Sequence, residues 1–324
     1  MKIKLKQYRV KAGLTQVMLA KAVGVSQPNY QRWESGTAPV PADKLKKLAK
    51  ALKTDVNALQ GAHPPIRASL YDRSAHEDLS YYGEVTIHFR GTGKPILLSI
   101  SDGAFSRLHG DIQAGAAFVC VESLANQMLI IRTRAIADLY FSSEAYGDYG
   151  PEHGEYEDYI DLQMPDSRDW EIVEAIACDG VGLEDFAEAD VQRVSKQIMI
   201  TEEEYEQLVI DGLIAPENLE SEKARNQKET DRICALATRV TYQLSSGLRR
   251  SVELEGFDDL FEVFGPLLED FDDELDDEFV KFPIVQWHRI AFINKHELDY
   301  VMLPSHRFEQ GRLEMEAKLL DESA

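Results

Sequence analysis

From Lys4 to Leu59 the chain is a string of short helical runs punctuated by glycine. Apolar residues recur at helical spacing (Leu5 and Tyr8; Val17, Leu19, Ala20 and Val23; Tyr30 and Trp33; Leu45, Leu48, Ala49 and Leu52), the pattern of amphipathic helices that each bury one stripe. Gly13, Gly24 and Gly36 fall just after such runs, as C-terminal glycines do. Thr15 and Ser26 stand where an N-cap hydroxyl belongs. A small domain of five helices is therefore expected over residues 1–60. Gly61-Ala-His-Pro-Pro-Ile66 then breaks any helix, and residues 61–80 read as a linker.

Beyond the linker the character changes. Glu84–Phe89 reads as a strand and Pro95–Ile100 as its hairpin partner through Gly91-Thr-Gly93. Ala117–Glu122, Gln127–Thr133 and Ala135–Phe141 continue the set. A helical region follows, with Trp170, Val173 and Ile176 on one face and Thr201-Glu-Glu-Glu204 as a capping box ahead of Gly212. Near residue 238 strands return in what looks like a repeat. Val85-Thr-Ile-His-Phe89 matches Val240-Thr-Tyr-Gln-Leu244, and Leu129-Ile-Ile-Arg-Thr-Arg134 with Asp138 matches Ile290-Ala-Phe-Ile-Asn-Lys295 with Asp299. The fold class expected is α+β: the helical domain, then a β-rich body of two related small barrels around a helical insert. The divisions are 81–165 for the first β-rich unit, 166–230 for the insert, 231–310 for the second unit and 311–324 for a charged tail.

Charge is split along the same boundary. Of 35 basic and 57 acidic residues, the first sixty hold twelve Lys and Arg against Glu34, Asp43 and Asp55. That segment carries +9 and the remainder −31. A basic module attracts phosphates, and an acidic body discourages non-specific wrapping of nucleic acid; keeping the body soluble is the plainer role for most of those carboxylates. Cys120, Cys178 and Cys234 are odd in number and widely spaced, against a disulfide framework or a thiolate zinc site. No apolar run approaches the roughly twenty residues of a membrane span, and the basic start leads into an amphipathic segment rather than a signal peptide. A cytoplasmic setting without membrane contact is expected.

Reading a duplex by direct contact takes a helix in the major groove with several polar side chains near its N-terminus. Residues 13–36 supply such a helix. Ala12-Gly-Leu-Thr-Gln16, Leu19-Ala20, Gly24-Val-Ser-Gln27 and Trp33-Glu-Ser-Gly36 fall in the register of the phage-repressor and Cro-like helix-turn-helix family, the Xre family, which residues 1–60 resemble. The resemblance implies that Gln16 hydrogen-bonds a phosphate with its amide buttressed near Gln27. It implies that Gln27, Pro28, Asn29, Gln31 and Arg32 form the base-contacting face. Pro28 departs from the polar residue common there and offers only an apolar contact. Thr15, Ser35, Gly36 and Thr37 are the further phosphate contacts it implies, and Arg9 with Glu34 matches a largely buried ion pair. Lys44, Lys46, Lys47, Lys50 and Lys53 read equally well as flanking phosphate contacts or as a solvated helix face. Val10 and Leu14 read as core beside Leu19 and Val23. A second, weaker similarity, of the hairpin-rich half that ends in Leu129–Tyr140 to an Sm-like small barrel, carries no expectation of RNA binding because that half is acidic overall.

Enzyme signals are poor. His296-Glu-Leu-Asp-Tyr300 has tyrosine where a zinc peptidase needs its second histidine, and no phosphate-cradling glycine loop is present. The acidic run Glu269–Glu278 lacks the central glycine of a calcium loop; it reads as a solvated face, or as a phosphate mimic for a basic partner. The expectation is a non-enzymatic, cofactor-free regulator that binds double-stranded DNA as a dimer or higher oligomer. Its acidic body would serve self-association and sense an effector or protein partner. The alternative is an antitoxin- or immunity-type protein whose body binds a protein while the N-terminus autoregulates.

Overall fold

In the computed structural model, residues 4–323 are described, except 71, 73, 92–93, 144–155, 157–158, 255–258, 270–277 and 285–288. The acidic run Glu269–Glu278 lies almost entirely outside the described residues.

The N-terminal unit has five helices: α1 (Leu5–Lys11), α2 (Gln16–Val23), α3 (Gln27–Glu34), α4 (Ala42–Ala51) and α5 (Val56–Leu59). Leu5, Leu19, Val23, Tyr30, Trp33, Leu45, Leu48 and Leu59 close one core. The Lys4 N–H donates to the Leu59 carbonyl at 2.8 Å, tying the unit's two ends together. Gly24 ends α2 at φ 69°, a conformation in which a Cβ would be strained. Thr15 caps α2 by accepting the Met18 N–H, whereas the Ser26 hydroxyl makes no cap bond to α3. Val17 and Val10 depart from the expected core: Val17 is 57% exposed and Val10 half-buried.

The body opens with β1 (Tyr81–Phe89), β2 (Ile96–Ser101), α6 (Asp102–Ala114), β3 (Phe118–Glu122), β4 (Gln127–Arg132), a 3-10 turn (Thr133–Ala135) and β5 (Ile136–Ser143). Four helices intervene: α7 (Ser167–Ala177), α8 (Glu188–Ile198), α9 (Glu202–Ile210) and α10 (Leu219–Thr238). Trp170 and Val173 are buried with Ile172, Val194 and Ile233, and the Thr201–Glu204 capping box is formed in both directions. The helices run to Thr238, not to residue 230 as the sequence reading has it. Then come β6 (Arg239–Leu244), β7 (Arg249–Glu253), α11 (Leu260–Phe264), β8 (Phe279–Ile284), β9 (Arg289–Asn294), a 3-10 turn (Lys295–Glu297), β10 (Leu298–Pro304) and α12 (Ser305–Glu322). Residues 311–324, expected as a charged tail, belong to α12 as far as Glu322.

The two strand sets repeat one plan. β1 lies between β2 and β5, and β6 lies between β7 and β10, all antiparallel. Val85 faces Leu98 as Val240 faces Val252. The contacts of β1 with β5 and of β6 with β10 share a register shift at the equivalent place, beside His88/Phe89 and beside Leu298/Tyr300. β3 with β4 corresponds to β8 with β9. The Val85 and Val240 alignment read from sequence holds, but the later alignment is one residue out. The equivalent of Leu129 is Ala291, because Ile131 and Ile293 both face buried valines, Val119 and Val280. A slip of one residue turns every side chain to the opposite face, and alternating apolar runs alone do not reveal it. Among the described residues neither set closes into a separate barrel. Instead β4 pairs with β10 and joins the sets in one five-stranded sheet, β3-β4-β10-β6-β7.

Candidate nucleic-acid interface

α3 is held by its inner face and offers its outer one. Tyr30 and Trp33, three residues apart, enter the core. That leaves Pro28, Asn29, Gln31 and Arg32 exposed and Gln27 half-buried at the start of the helix. Pro28 sits in the first turn, where the missing N–H costs nothing. Gln27 Nε2 donates to Gln16 Oε1 at 3.1 Å, so the N-termini of α2 and α3 are joined by their side chains.

Behind this face, Arg9 forks onto Glu34. Nη2 reaches Oε1 at 2.8 Å and Nε reaches both carboxylate oxygens at 3.1 Å, with side-chain exposures of 0% and 2%. Arg9 Nη1 also donates to the Leu14 carbonyl at 3.0 Å. Burial pulls the Arg9 pKa down, but Glu34 and Asp321 outweigh it and hold the guanidinium above its ordinary value. This pair fastens α1 to the end of α3 and fixes the recognition helix in the domain.

The remaining expected phosphate contacts are placed less uniformly. Thr15 is buried, its oxygen committed to the α2 cap. Ser35, Gly36 and Thr37 are exposed. Both hydroxyls lie within hydrogen-bond distance of the Arg32 carbonyl, at 3.3 and 3.2 Å, and 3.0 Å from each other; they shape the turn after α3. Lys44 donates to the Val23 carbonyl at 3.1 Å, covering the C-terminal end of α2, where a cation is favoured. Lys46, Lys47 and Lys50 stand exposed on α4, and Lys53 stands exposed just beyond its end.

The sequence reading missed the groups that meet this domain from the body. Asp321, in the last turn of α12, accepts the Gln16 backbone N–H at 2.8 Å and lies 3.2 Å from Arg9 Nη2. Glu314 pairs with Lys6, and Glu171 of α7 with Lys4 at 2.9 Å. Arg168 donates to the carbonyls of Gly61 and His63. The α12 helix is itself anchored at its start, where the His306 N–H donates to Asn126 Oδ1 at 3.0 Å and His306 Nε2 meets Glu174 at 2.9 Å. The Asp321 carboxylate therefore occupies the N-terminal N–H of α2, a position that favours an anion. No local sequence pattern could pair residues 305 positions apart.

Residues 5–59 match the family model described as helix-turn-helix. With the geometry above, the segment is a helix-turn-helix domain, and the class it defines is that of DNA-binding transcription regulators. No curated protein and no solved structure matches the chain. Among the described residues, no helix is long and apolar enough to cross a membrane.

Proposed function

We propose that the chain is a sequence-specific regulator of transcription that binds double-stranded DNA as a dimer or higher oligomer, most simply repressing by occupying a promoter. The observation that carries this reading is the exposed α3 face. Asn29, Gln31 and Arg32 project from a helix whose other side is locked by Tyr30, Trp33 and the buried Arg9–Glu34 pair. Arginine suits the guanine O6/N7 edge, and asparagine and glutamine suit adenine. One recognition helix covers a half-site only, which is the physical reason for a second copy.

Gln16 is given the phosphate at the start of α2, and that phosphate competes with Asp321 for one N–H. The body thereby sets the domain's affinity as well as its company, and a small effector or a protein partner that moves α12 would release the domain. The acidic remainder is also the feature that would serve an antitoxin- or immunity-type protein, but the exposed α3 face favours the regulator. The reading is one of binding, without catalysis. Selection of bound sequences from a random duplex pool by the full chain tests it: an enriched paired motif is expected, and recovery of unenriched DNA would refute it.

A further inference from the structure

Among the described residues the two strand sets meet through one pair of edges, β4 against β10. The counterparts of those edges are β9 and β5, and among the described residues neither has a strand on its outer side. Matching the registers makes Ile290 and Phe292 the counterparts of Met128 and Ile130, and Leu139 and Phe141 those of Val301 and Leu303. In the pair that is made, Val301 faces Ile130 and Leu303 faces Met128. These four share the core of the second set, with Met128 6% and Ile130 0% exposed. Their equivalents on β9 are open: Ile290 is 53% and Phe292 63% exposed. A strand edge carrying large apolar side chains is a template for pairing that folded chains ordinarily blunt.

We propose that β9 of one chain pairs antiparallel with β5 of a second copy, in the register that β4 uses with β10. Leu139 then lies opposite Phe292, Tyr140 opposite Ala291 and Phe141 opposite Ile290. The occupant is a second copy because the complement to β9 is already defined inside this chain: β10 covers β4, and β5 is its equivalent. Leu139 and Phe141 are half-buried against the first set's core, so Ile290 and Phe292 extend that core as Met128 and Ile130 extend the other. One place differs. Asp138, on His88 Nδ1 at 2.6 Å, stands where β10 has Tyr300, so the carboxylate side of the contact is polar. Each chain offers one β9 and one β5, a head-to-tail contact that closes as a ring where the rotation between copies returns on itself and otherwise runs on as an open assembly. This deepens the self-association in the function proposed above and rests on that part of it; DNA recognition does not enter.

The test uses the full chain with the exposed Cys178 changed to Ser. Its mass by sedimentation over a wide concentration range should be a multiple of the chain. Phe292→Asp should raise the dissociation constant at least about tenfold, from the apolar area it leaves in water, with circular dichroism and melting unchanged. Tyr140→Cys combined with Ala291→Cys should give an intermolecular disulfide on mild oxidation, because directly opposed strand residues are within bridging distance. Tyr140→Cys with Arg289→Cys, two residues out of register, should cross-link far less. A monomer at every concentration would overturn both this inference and the oligomeric reading. An oligomer unmoved by Phe292→Asp, or one that cross-links no better in the in-register pair, overturns this inference alone and moves self-association to another surface.

Discussion

Arg9 and Arg32 are the same residue type in opposite settings. Arg9 is enclosed, so removing it strands the Glu34 carboxylate at 2% exposure. Arg9→Met should cost about 3–5 kcal/mol in the helix-turn-helix domain, the range for breaking a buried pair from one side. The double change of Arg9 and Glu34 to apolar residues of similar size should cost less; equal small losses for both in thermal melts would show the pair to be inconsequential. Arg32 is exposed at the centre of the α3 face, so Arg32→Ala should leave melting unchanged. It should cost about 1–3 kcal/mol on the preferred site and relax one base pair of the selected motif. An unchanged motif would contradict the placement of α3 in the groove. The Arg9–Glu34 pair and the exposed place of Arg32 on α3 were legible in the sequence because the domain's motif is local and dense. Ser26 shows the limit: the residue type fits a cap, yet whether its hydroxyl turns toward the helix is a matter of rotamer and not of spacing.

At the scale of the elements, α12 couples the body to the DNA-binding unit. Asp321→Asn keeps the size but removes the charge at the α2 N-terminus, and should tighten binding to any duplex by about 0.5–1 kcal/mol, the worth of a charge beside a helix end. A titration showing weaker binding, or none of this gain, would mean that phosphate and Asp321 do not share the Gln16 N–H. The anchor at the other end of α12 is pH-sensitive. Full burial outweighs the neighbouring Glu174 and holds His306 below its ordinary value of 6.5. As pH falls below that value, the unfolded chain takes up a proton that the folded one declines, so stability drops toward the depressed folded value. Glu174 is held below its ordinary range, since His306 and Arg307 outweigh its burial, and adds its own loss only at lower pH. His306→Gln should flatten the first decline in melts taken from pH 7.5 to 5.5, a span set by the ordinary histidine value of about 6.5; an unchanged decline would place its origin elsewhere. Elements were unevenly legible. The strands and the Thr201 capping box stand out in the sequence, whereas α6 does not, because Gly103 and Gly110 interrupt its apolar positions Ala104 and Leu108. The docking of α12 depends on partners hundreds of residues away, which no periodicity encodes.

For the whole molecule, the governing fact is a +9 domain on a −31 body, with the two linked by ion pairs at Lys4, Lys6 and Arg9. The domain's core is its own, so a fragment of residues 1–62 retains every proposed DNA contact while losing Asp321 and the strand edges. Counterion release makes such a fragment bind any duplex at low salt with little regard for sequence. The full chain pays electrostatic repulsion on random DNA over about a Debye length, roughly 10 Å at 0.1 M salt, and regains affinity where two half-sites are engaged together. An anisotropy titration of the full chain and the fragment, each on the selected site and on a scrambled duplex, at low and at moderate salt, separates these contributions. The full chain should bind scrambled DNA more weakly than the fragment does, yet discriminate the selected site far better, with the advantage growing as salt rises. Equal discrimination by the two, in a full chain that stays monomeric on the site, would contradict it.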